Sequence, residues 1–349
     1  MSARSTQRIF TALCLSLAGV LAAAPAAAEQ PLRIVAFNVQ CLQAPNTNDS
    51  RLARYRWGIA RRDHAERVAS VIETLLPDIL CLVEVTSKAS VDLLVEILHE
   101  KGLTDYRGYH IENYDKFSGF DVAFLSRISP DTVEGQTIRC MYSDADDPAW
   151  RAKYAYQDDD GKRRERSTGL SRHAVFYATA GGVKLGLLGL HLKADPGDNY
   201  SNARRMAETE IAGRIIRQEI VERGYLPVVL GDLNDYDPDL PDRDANRSTQ
   251  TRVLRGMKDF DAKSAGDELF NAAEKVVRLA DRYTSHWDVN ENGTADIGDV
   301  YTMIDYVLLP RSLATYHTRT FIARGSDLKT SDHWPVVVDL VLPDNKARD

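Results

Sequence analysis

Short apolar runs in this chain repeatedly stop on a single acid, amide or imidazole. Ile34-Val35-Ala36-Phe37 reaches Asn38, Ile79 to Val83 reaches Glu84, Leu187 to Leu190 reaches His191, and Pro227 to Gly231 reaches Asp232, with Asn234 close behind. Asp305 lies inside the run Met303 to Leu309, and the last strand-like run ends in Ser331-Asp332-His333-Trp334-Pro335. A run of this kind reads as a buried strand that delivers one polar side chain to the edge of a sheet. Several such ends on one chain point to one site assembled from many strands, so any cut between Asn38 and His333 would divide it.

The segments between these ends are consistent with a mixed sheet flanked by helices. Val68, Val71, Ile72 and Leu75 share a face at helical spacing over 63–75, a helix stopped by Pro77. A second helix is expected over 91–100 and a long one over 203–222. Ala180-Gly181-Gly182 between two apolar runs marks an antiparallel hairpin. The stretch 144–167 is polar and reads as an irregular loop or lid. Hairpins mixed with strand–helix alternation favour two stacked sheets over a purely parallel one.

Residues 1–28 have the form of a cleavable secretory leader: Arg4 and Arg8, an apolar stretch from about Ile9, then Ala26-Ala27-Ala28 before Glu29. This predicts a mature chain of one domain, 29–349, in the periplasm or outside the cell, with no other apolar run of spanning length. The formal net charge is −7, two units more acidic once Arg4 and Arg8 leave, which argues against holding polyanions by an overall field. Basic runs remain at 51–67 and 162–166; the second follows Asp158-Asp159-Asp160 and is partly self-neutralised. With Cys14 removed, Cys41, Cys81 and Cys140 remain. Cys41 can pair with Cys140 or Cys81, and nothing in the sequence chooses between them.

The residue types at the strand ends suit phosphoryl chemistry, which needs a hard cation, an activated water and stabilisation of the leaving oxygen. Glu84 is a candidate ligand for magnesium, which prefers carboxylate oxygen, and Asn38 is placed to orient a metal-bound water or a phosphate. His191 and His333 are candidate acids or bases near neutral pH. Asp305 is costly to bury alone, and a histidine such as His333 would both satisfy it and gain basicity from it.

Phe37-Asn38, Leu82-Val83-Glu84-Val85, Asp121-Val122-Ala123-Phe124, Leu190-His191-Leu192-Lys193, Gly231-Asp232-Leu233-Asn234, Ile304-Asp305-Tyr306-Val307-Leu308 and Ser331-Asp332-His333, in that order, resemble the endonuclease/exonuclease/phosphatase superfamily. The resemblance covers about Leu32 to Leu342. It implies a four-layered α/β sandwich, two stacked mixed β-sheets flanked by helices, and cleavage of phosphodiesters or phosphomonoesters with Mg2+ or Mn2+. It implies that Asn38, Glu84 and Asp332 hold the metal, that Asp232 and Asn234 position water and the scissile phosphate, and that His333, oriented by Asp305, is the general base. His191 resembles the second histidine of the deoxyribonuclease, sphingomyelinase and inositol-phosphatase branches, where it protonates the leaving oxygen, and Arg172 resembles a phosphate-contacting arginine. The glutamine usual before the metal glutamate is Val83 here. Leu192-Lys193 and Asn234-Asp235-Tyr236 look most like secreted bacterial nucleases.

A separate cation signal lies at 288–299. Asp288, Asn290, Asn292, Thr294, Asp296 and Asp299 occupy the spacing of a calcium loop, with Gly293 at its sixth position and Asp in place of Glu at the last. The alternation of Val300, Thr302, Ile304 and Tyr306 predicts a strand after it rather than a helix. The leading expectation is a secreted metal-dependent phosphoesterase acting on nucleic acid, with no obligate protein partner evident. The alternatives are a sphingomyelinase-like or inositol/sugar-phosphate phosphoesterase, and a calcium-dependent binding module whose catalytic site is idle.

Overall fold

The computed structural model describes residues 29–47, 62–142, 148–246, 251–261, 263, 268–294, 296–325 and 328–343. The leader, and the arginines at 51, 54, 56 and 61 in the first basic run, lie outside these residues.

Two sheets stack face to face, each six-stranded. The first contains β1 (Glu29–Leu42), β2 (Ile79–Val85), β3 (Arg107–His110), β4 (Asp121–Ser126), β15 (His317–Ile322) and β16 (Val336–Pro343), ordered β15-β16-β1-β2-β4-β3. The second contains β5 (Ile138–Arg139), β8 (His173–Ala180), β9 (Val183–His191), β10 (Leu226–Asp232), β11 (Leu269–Asn271) and β14 (Asp305–Pro310), ordered β11-β14-β10-β9-β8-β5. In each sheet the two central strands are parallel, β1 with β2 and β9 with β10, while their outer neighbours are antiparallel.

The uninterrupted apolar runs follow from this layering, since a strand covered on both faces has no polar side. Ile34 and Ala36 of β1, with Cys81 of β2 and Val122 of β4, face the second sheet and pack with its Phe176 and Leu230. Val35 and Phe37 point the other way, against Val68 and Ile72 of α1 (Arg62–Leu75) and Leu94 of α2 (Lys88–Glu100). The outer face of the second sheet packs Leu188, Leu190 and Val229 on Ile211 and Ile215 of α3 (Asn199–Ile215), beside α4 (Val253–Lys258). The sheets approach closely at Gly189, where an added Cβ would lie 2.7 Å from Cys81 Sγ and 2.8 Å from Val122 Cγ1. No helix of the described residues is long and apolar enough to cross a membrane.

The hairpin at Gly181 and Gly182 is present, with φ of +55° and +75°, the left-handed pair that a two-residue hairpin turn requires. Other expectations are revised. The stretch expected to be a loop folds into a second hairpin, β6 (Arg151–Gln157) with β7 (Arg163–Gly169). The strand expected over Val300–Tyr306 divides into β13 (Val300–Thr302), paired with β12 (Ser285–Trp287), and β14, which belongs to the main sheet. Ser331-Asp332-His333 precedes β16 rather than ending a strand. Cys81 and Cys140 are free thiols, so neither of the two pairings expected for Cys41 is formed.

Two histidines outside the strand-end cluster are held neutral in the interior. The His173 ring donates from Nδ1 to Leu170 O at 2.9 Å and accepts the Met141 N–H at Nε2, 2.8 Å away, and burial pushes its pKa down to about 4. His64 donates from Nε2 to Thr330 O at 2.9 Å and is likewise pushed by burial to about 4. Both sit near 6.5 when unfolded, so between about 6.5 and 4 the unfolded chain binds the extra protons. Stability is therefore expected to fall as pH drops through that window, by on the order of 3 kcal/mol per histidine, and to be complete above it. Urea unfolding across this range should show the slope, and His173→Gln should reduce it. A flat profile in the native protein would refute the assignment.

Candidate active site

The site forms on the seam between the sheets, at the edge reached by the C-terminal ends of β1, β2, β9 and β10. Strand register places three of its members in one row: Asp232 on β10 is level with His191 on β9 and with Asp305 on β14. From the first sheet, Asn38 donates from Nδ2 to Glu84 Oε1 at 3.0 Å and to Asp232 Oδ2 at 3.2 Å, so one amide bridges carboxylates of both sheets.

Glu84 owes its aim to a β-bulge. Val83 pairs with Val122 and Val85 with Asp121, which leaves Glu84 unpaired in β2 at φ +65°, a conformation that non-glycine residues adopt at a cost. Asn234 has φ +51°, and its N–H donates to Asp232 Oδ1 at 2.9 Å while Nδ2 donates to Leu192 O at 3.2 Å. Strained residues at the ends of both central strands are a mark of a site whose surroundings over-determine it.

On one side His333 Nδ1 donates to Asp305 Oδ2 at 2.7 Å. Ser331 fixes the approach of this segment: its hydroxyl donates to Asn38 O at 2.8 Å and accepts the His333 N–H at 3.0 Å. On the other side His191 Nε2 lies 3.7 Å from Asp232 Oδ2, 3.9 Å from Glu84 Oε1 and 3.4 Å from Arg172 Nη1. Arg172 is anchored by a donation from Nη2 to Leu192 O at 2.8 Å, and lies 4.0 Å from Asp115.

Electrostatics separate the two histidines. Burial, with Arg172 adding to it, drives His191 well below its ordinary value, so its ring is neutral. Burial also opposes charge on His333, but the Asp305 carboxylate, with Asp332 and Asp232 behind it, outweighs that and holds the ring well above the ordinary value. Burial and the facing Asp305 raise Asp232 to about 7. Burial, then Asp332, raises Glu84, with the Asn38 amide opposing. Excess negative charge is thus packed into a nearly dry pocket. Asp232, Asp305 and His333 offer ligand atoms within 4.8 Å of one another, and Glu84 Oε2 and Asp305 Oδ1 are buried without a hydrogen-bond partner among the described residues.

A sequence profile described as the Endonuclease/Exonuclease/phosphatase family matches residues 35–333, from β1 to the site histidine itself. The chain belongs to that family. An endonuclease/exonuclease/phosphatase family protein from Leptotrichia buccalis is similar at 13% identity and TM-score 0.50, over 88% of this chain and 98% of that one. D. rerio TDP2 complexed with single strand DNA product is similar at 15% identity and TM-score 0.49, over 88% of this chain and 98% of that one. A Bacteroides thetaiotaomicron family protein is similar at 16% identity and TM-score 0.49, over 90% and 99%. No curated protein matches.

The expected residues Asn38, Glu84, Arg172, His191, Asp232, Asn234, Asp305, Asp332 and His333 all fall in this one region of the family fold, Asp332 by its charge effect on Glu84 and His333. The calcium-loop residues form a separate group. There Asp288 Oδ2 accepts the Gly293 N–H at 2.6 Å, Asp296 Oδ2 accepts the Asn290 and Asn292 amides, and Thr294 donates to Asn292. Asp299 is taken up by His286 at 2.7 Å. Sequence reasoning missed Ser331 and Asp115; only Ser331 carried a signal, its place beside Asp332-His333.

His333→Ala would strand Asp305, which is 1% exposed, without its partner. The expected loss is about 3–5 kcal/mol, as for other broken buried ion pairs, and Asp305→Asn combined with His333→Ala should recover part of it. Denaturant unfolding of the single and double variants measures both, and equal stability of the two would refute a charge-based pairing.

Proposed function

We propose that this chain is an exported, divalent-metal-dependent phosphodiesterase whose substrate is nucleic acid, cleaved by direct attack of water. The observation that carries the reading is the geometry of two histidines, His333 held by Asp305 and His191 beside Arg172, set around Asn38, Glu84 and Asp232.

Asn38, Glu84 and Asp332 would hold the metal; an all-oxygen donor set and a sequestered, unpartnered Glu84 oxygen suit a hard cation such as magnesium. Bound there, the cation supplies Lewis-acid stabilisation of charge on the phosphate. Asp305 orients His333 so that Nε2 faces the attacking water; the ring must be neutral to take its proton, a state that positive charge balancing Asp332 and Asp232 would favour. Asp232 and Asn234, tied to each other by the 2.9 Å bond, set the position of water and phosphate. Arg172 meets a phosphate oxygen, and the negative charge of a phosphate bound there would offset the burial and the Arg172 charge that keep His191 neutral, so that the protonated ring can pass its proton to the leaving oxygen on the far side.

Calcium at 288–299 belongs to the same proposal. Asp288 Oδ1 is sequestered without a partner, and the loop is connected to the site: Asp299 holds His286, which stacks on Trp334 at 5.8 Å, next to His333. Calcium is expected to raise Tm, and Asp288→Asn to remove the increment; an unchanged Tm rejects this site.

With magnesium, the mature protein from Glu29 is expected to nick supercoiled plasmid or shorten an oligonucleotide, and chelation to stop it. His191→Ala and His333→Ala are each expected to lower kcat by about 10²–10⁴, the usual contribution of a positioned acid or base. Turnover confined to sphingomyelin or a sugar phosphate would retain the chemistry and overturn the substrate. Full activity in both variants would overturn the mechanism.

A further inference from the structure

The cleft does not end at the catalytic cluster. A 450 Å³ pocket bounded at one end by Glu84 and His191 is bounded at the other by Phe117, Tyr200 and Arg204. Those three, with Asp115, also line a 330 Å³ pocket that continues to Arg151, Arg166 and Tyr142 on and beside the β6–β7 hairpin. The two form one trough from the site to the hairpin.

In a chain of formal charge −7, this trough is lined with cations. Among the described residues no carboxylate lies within ion-pair distance of Arg151, Arg166 or Lys193, whereas Arg163 and Arg164 on the same hairpin are neutralised by Glu165 and Asp158. Burial, with the nearby Arg172 and Arg204 adding to it, pushes Lys193 below its ordinary value. Aromatic surface accompanies the charge. Phe117 is 80% exposed, and Tyr114, 44% exposed, stacks on Tyr142 with centroids 4.0 Å apart.

The hairpin is held firmly enough to serve as a wall. Tyr154 and Tyr156 pack on Tyr200 at the start of α3, with centroids 6.1 and 5.1 Å away, and the Arg166 guanidinium lies 6.0 Å from the centre of the Tyr200 ring.

Resting on the phosphodiesterase reading above, we propose that this trough is a binding track for an extended single-stranded polynucleotide. Lys193 takes the phosphate next to the scissile one, with Arg204, itself paired with Glu208 at 2.9 Å, behind it; Arg151 and Arg166 take a more distant one, and a base stacks on Phe117. Cations alternating with aromatic faces are the chemistry of strand binding, because every unpaired base has a π-face to offer. A duplex keeps those faces stacked inside and presents only base edges and backbone, so it has no use for Phe117. A lipid surface fits less well: the hairpin tip, Asp158-Asp159-Asp160-Gly161-Lys162, is charged and has no apolar residue to insert.

The test is fluorescence anisotropy of a labelled oligothymidylate of about 12 nucleotides, within the usual site size for such tracks, with magnesium present and Asp232→Asn as the non-cleaving background. Arg151→Gln with Arg166→Gln, and separately Phe117→Ala, are expected to weaken binding about tenfold, as losing one stacked base or its equivalent does. The double arginine variant should also flatten the salt dependence, its log–log slope falling by about 0.7 for the one lost phosphate contact. Binding unaffected by either change, no binding at all, equal affinity for a duplex of the same length, or capture by phosphatidylserine vesicles in place of the strand would each overturn the proposal. Tm identifies a misfolded hairpin variant; Phe117→Ala, on a different segment, then decides. Plasmid and oligonucleotide cleavage by the native protein is scored separately, so loss of strand binding in a protein that still cleaves discards the track and leaves the phosphodiesterase.

Discussion

Three carboxylates, Glu84, Asp232 and Asp305, converge where the two sheets meet, and Asp232 and Asp305 are almost completely removed from water. Nothing in the hydrophobic sandwich favours this; burying like charges together opposes folding by several kcal/mol per unpaired group. The remainder of the site answers that cost. Asn38 spans two of the acids with one amide, His333 takes up the third, and Asp232 has its affinity for a proton raised to about 7. What is left unanswered, the free oxygens of Glu84 and Asp305, has the character of a site awaiting positive charge. Fold stability and chemistry therefore share one set of groups, and the negative charge that strains the folded state is the same charge that would bind a cation.

This sharing explains where the backbone departs from ideality. Glu84, Asn234, Gln40 and Cys41 have positive φ, all at or just after the ends of the central strands. Glu84 is pushed out of register by a bulge, and without it the residue would follow the strand's alternation instead of meeting Asn38. A regular sheet offers side chains only at fixed, two-residue intervals on each face; three acids and two histidines cannot be focused on one point without breaking that pattern locally. The strain persists because the two apolar layers beneath, locked together where Gly189 meets Cys81 and Val122, leave the strand ends little freedom to relax.

Legibility in the sequence follows the same division. The doubly covered strands were readable because burial on both faces demands an unbroken apolar run, and each polar terminus stood out against it. Helix α1 was readable from its 3.6-residue spacing. The β6–β7 hairpin was invisible because it belongs to neither sheet: its strands, rich in Arg, Lys and Tyr, are exposed along most of their length, and exposure removes the alternation that identifies a strand. The split at Met303-Ile304 was hidden for the opposite reason. Both halves are strand-like, and only the hydrogen bonds from the N–H groups of Ile304 and Asp305 to the Thr284 hydroxyl mark the point where the chain leaves one sheet for the other. Tyr200 and Arg204 lie in the first turns of α3, where a helical face reads as solvated charge until a neighbouring element is known.

The bulge and the Asn38 bridge also bear on how the site fails. Asn38 is on the first sheet and Asp232 on the second, so their 3.2 Å contact exists only when the sheets are stacked in register. Gly231 makes that register unforgiving: it holds φ +121°, and a side chain there would collide with Leu190 O on β9. Any residue but glycine would have to part β9 from β10, which carry His191 and Asp232 side by side. A change at Gly231 would thus separate His191 from Asp232 without touching either one. The site is a property of the seam, and damage to the seam registers as loss of chemistry before the apolar layers on either side come apart.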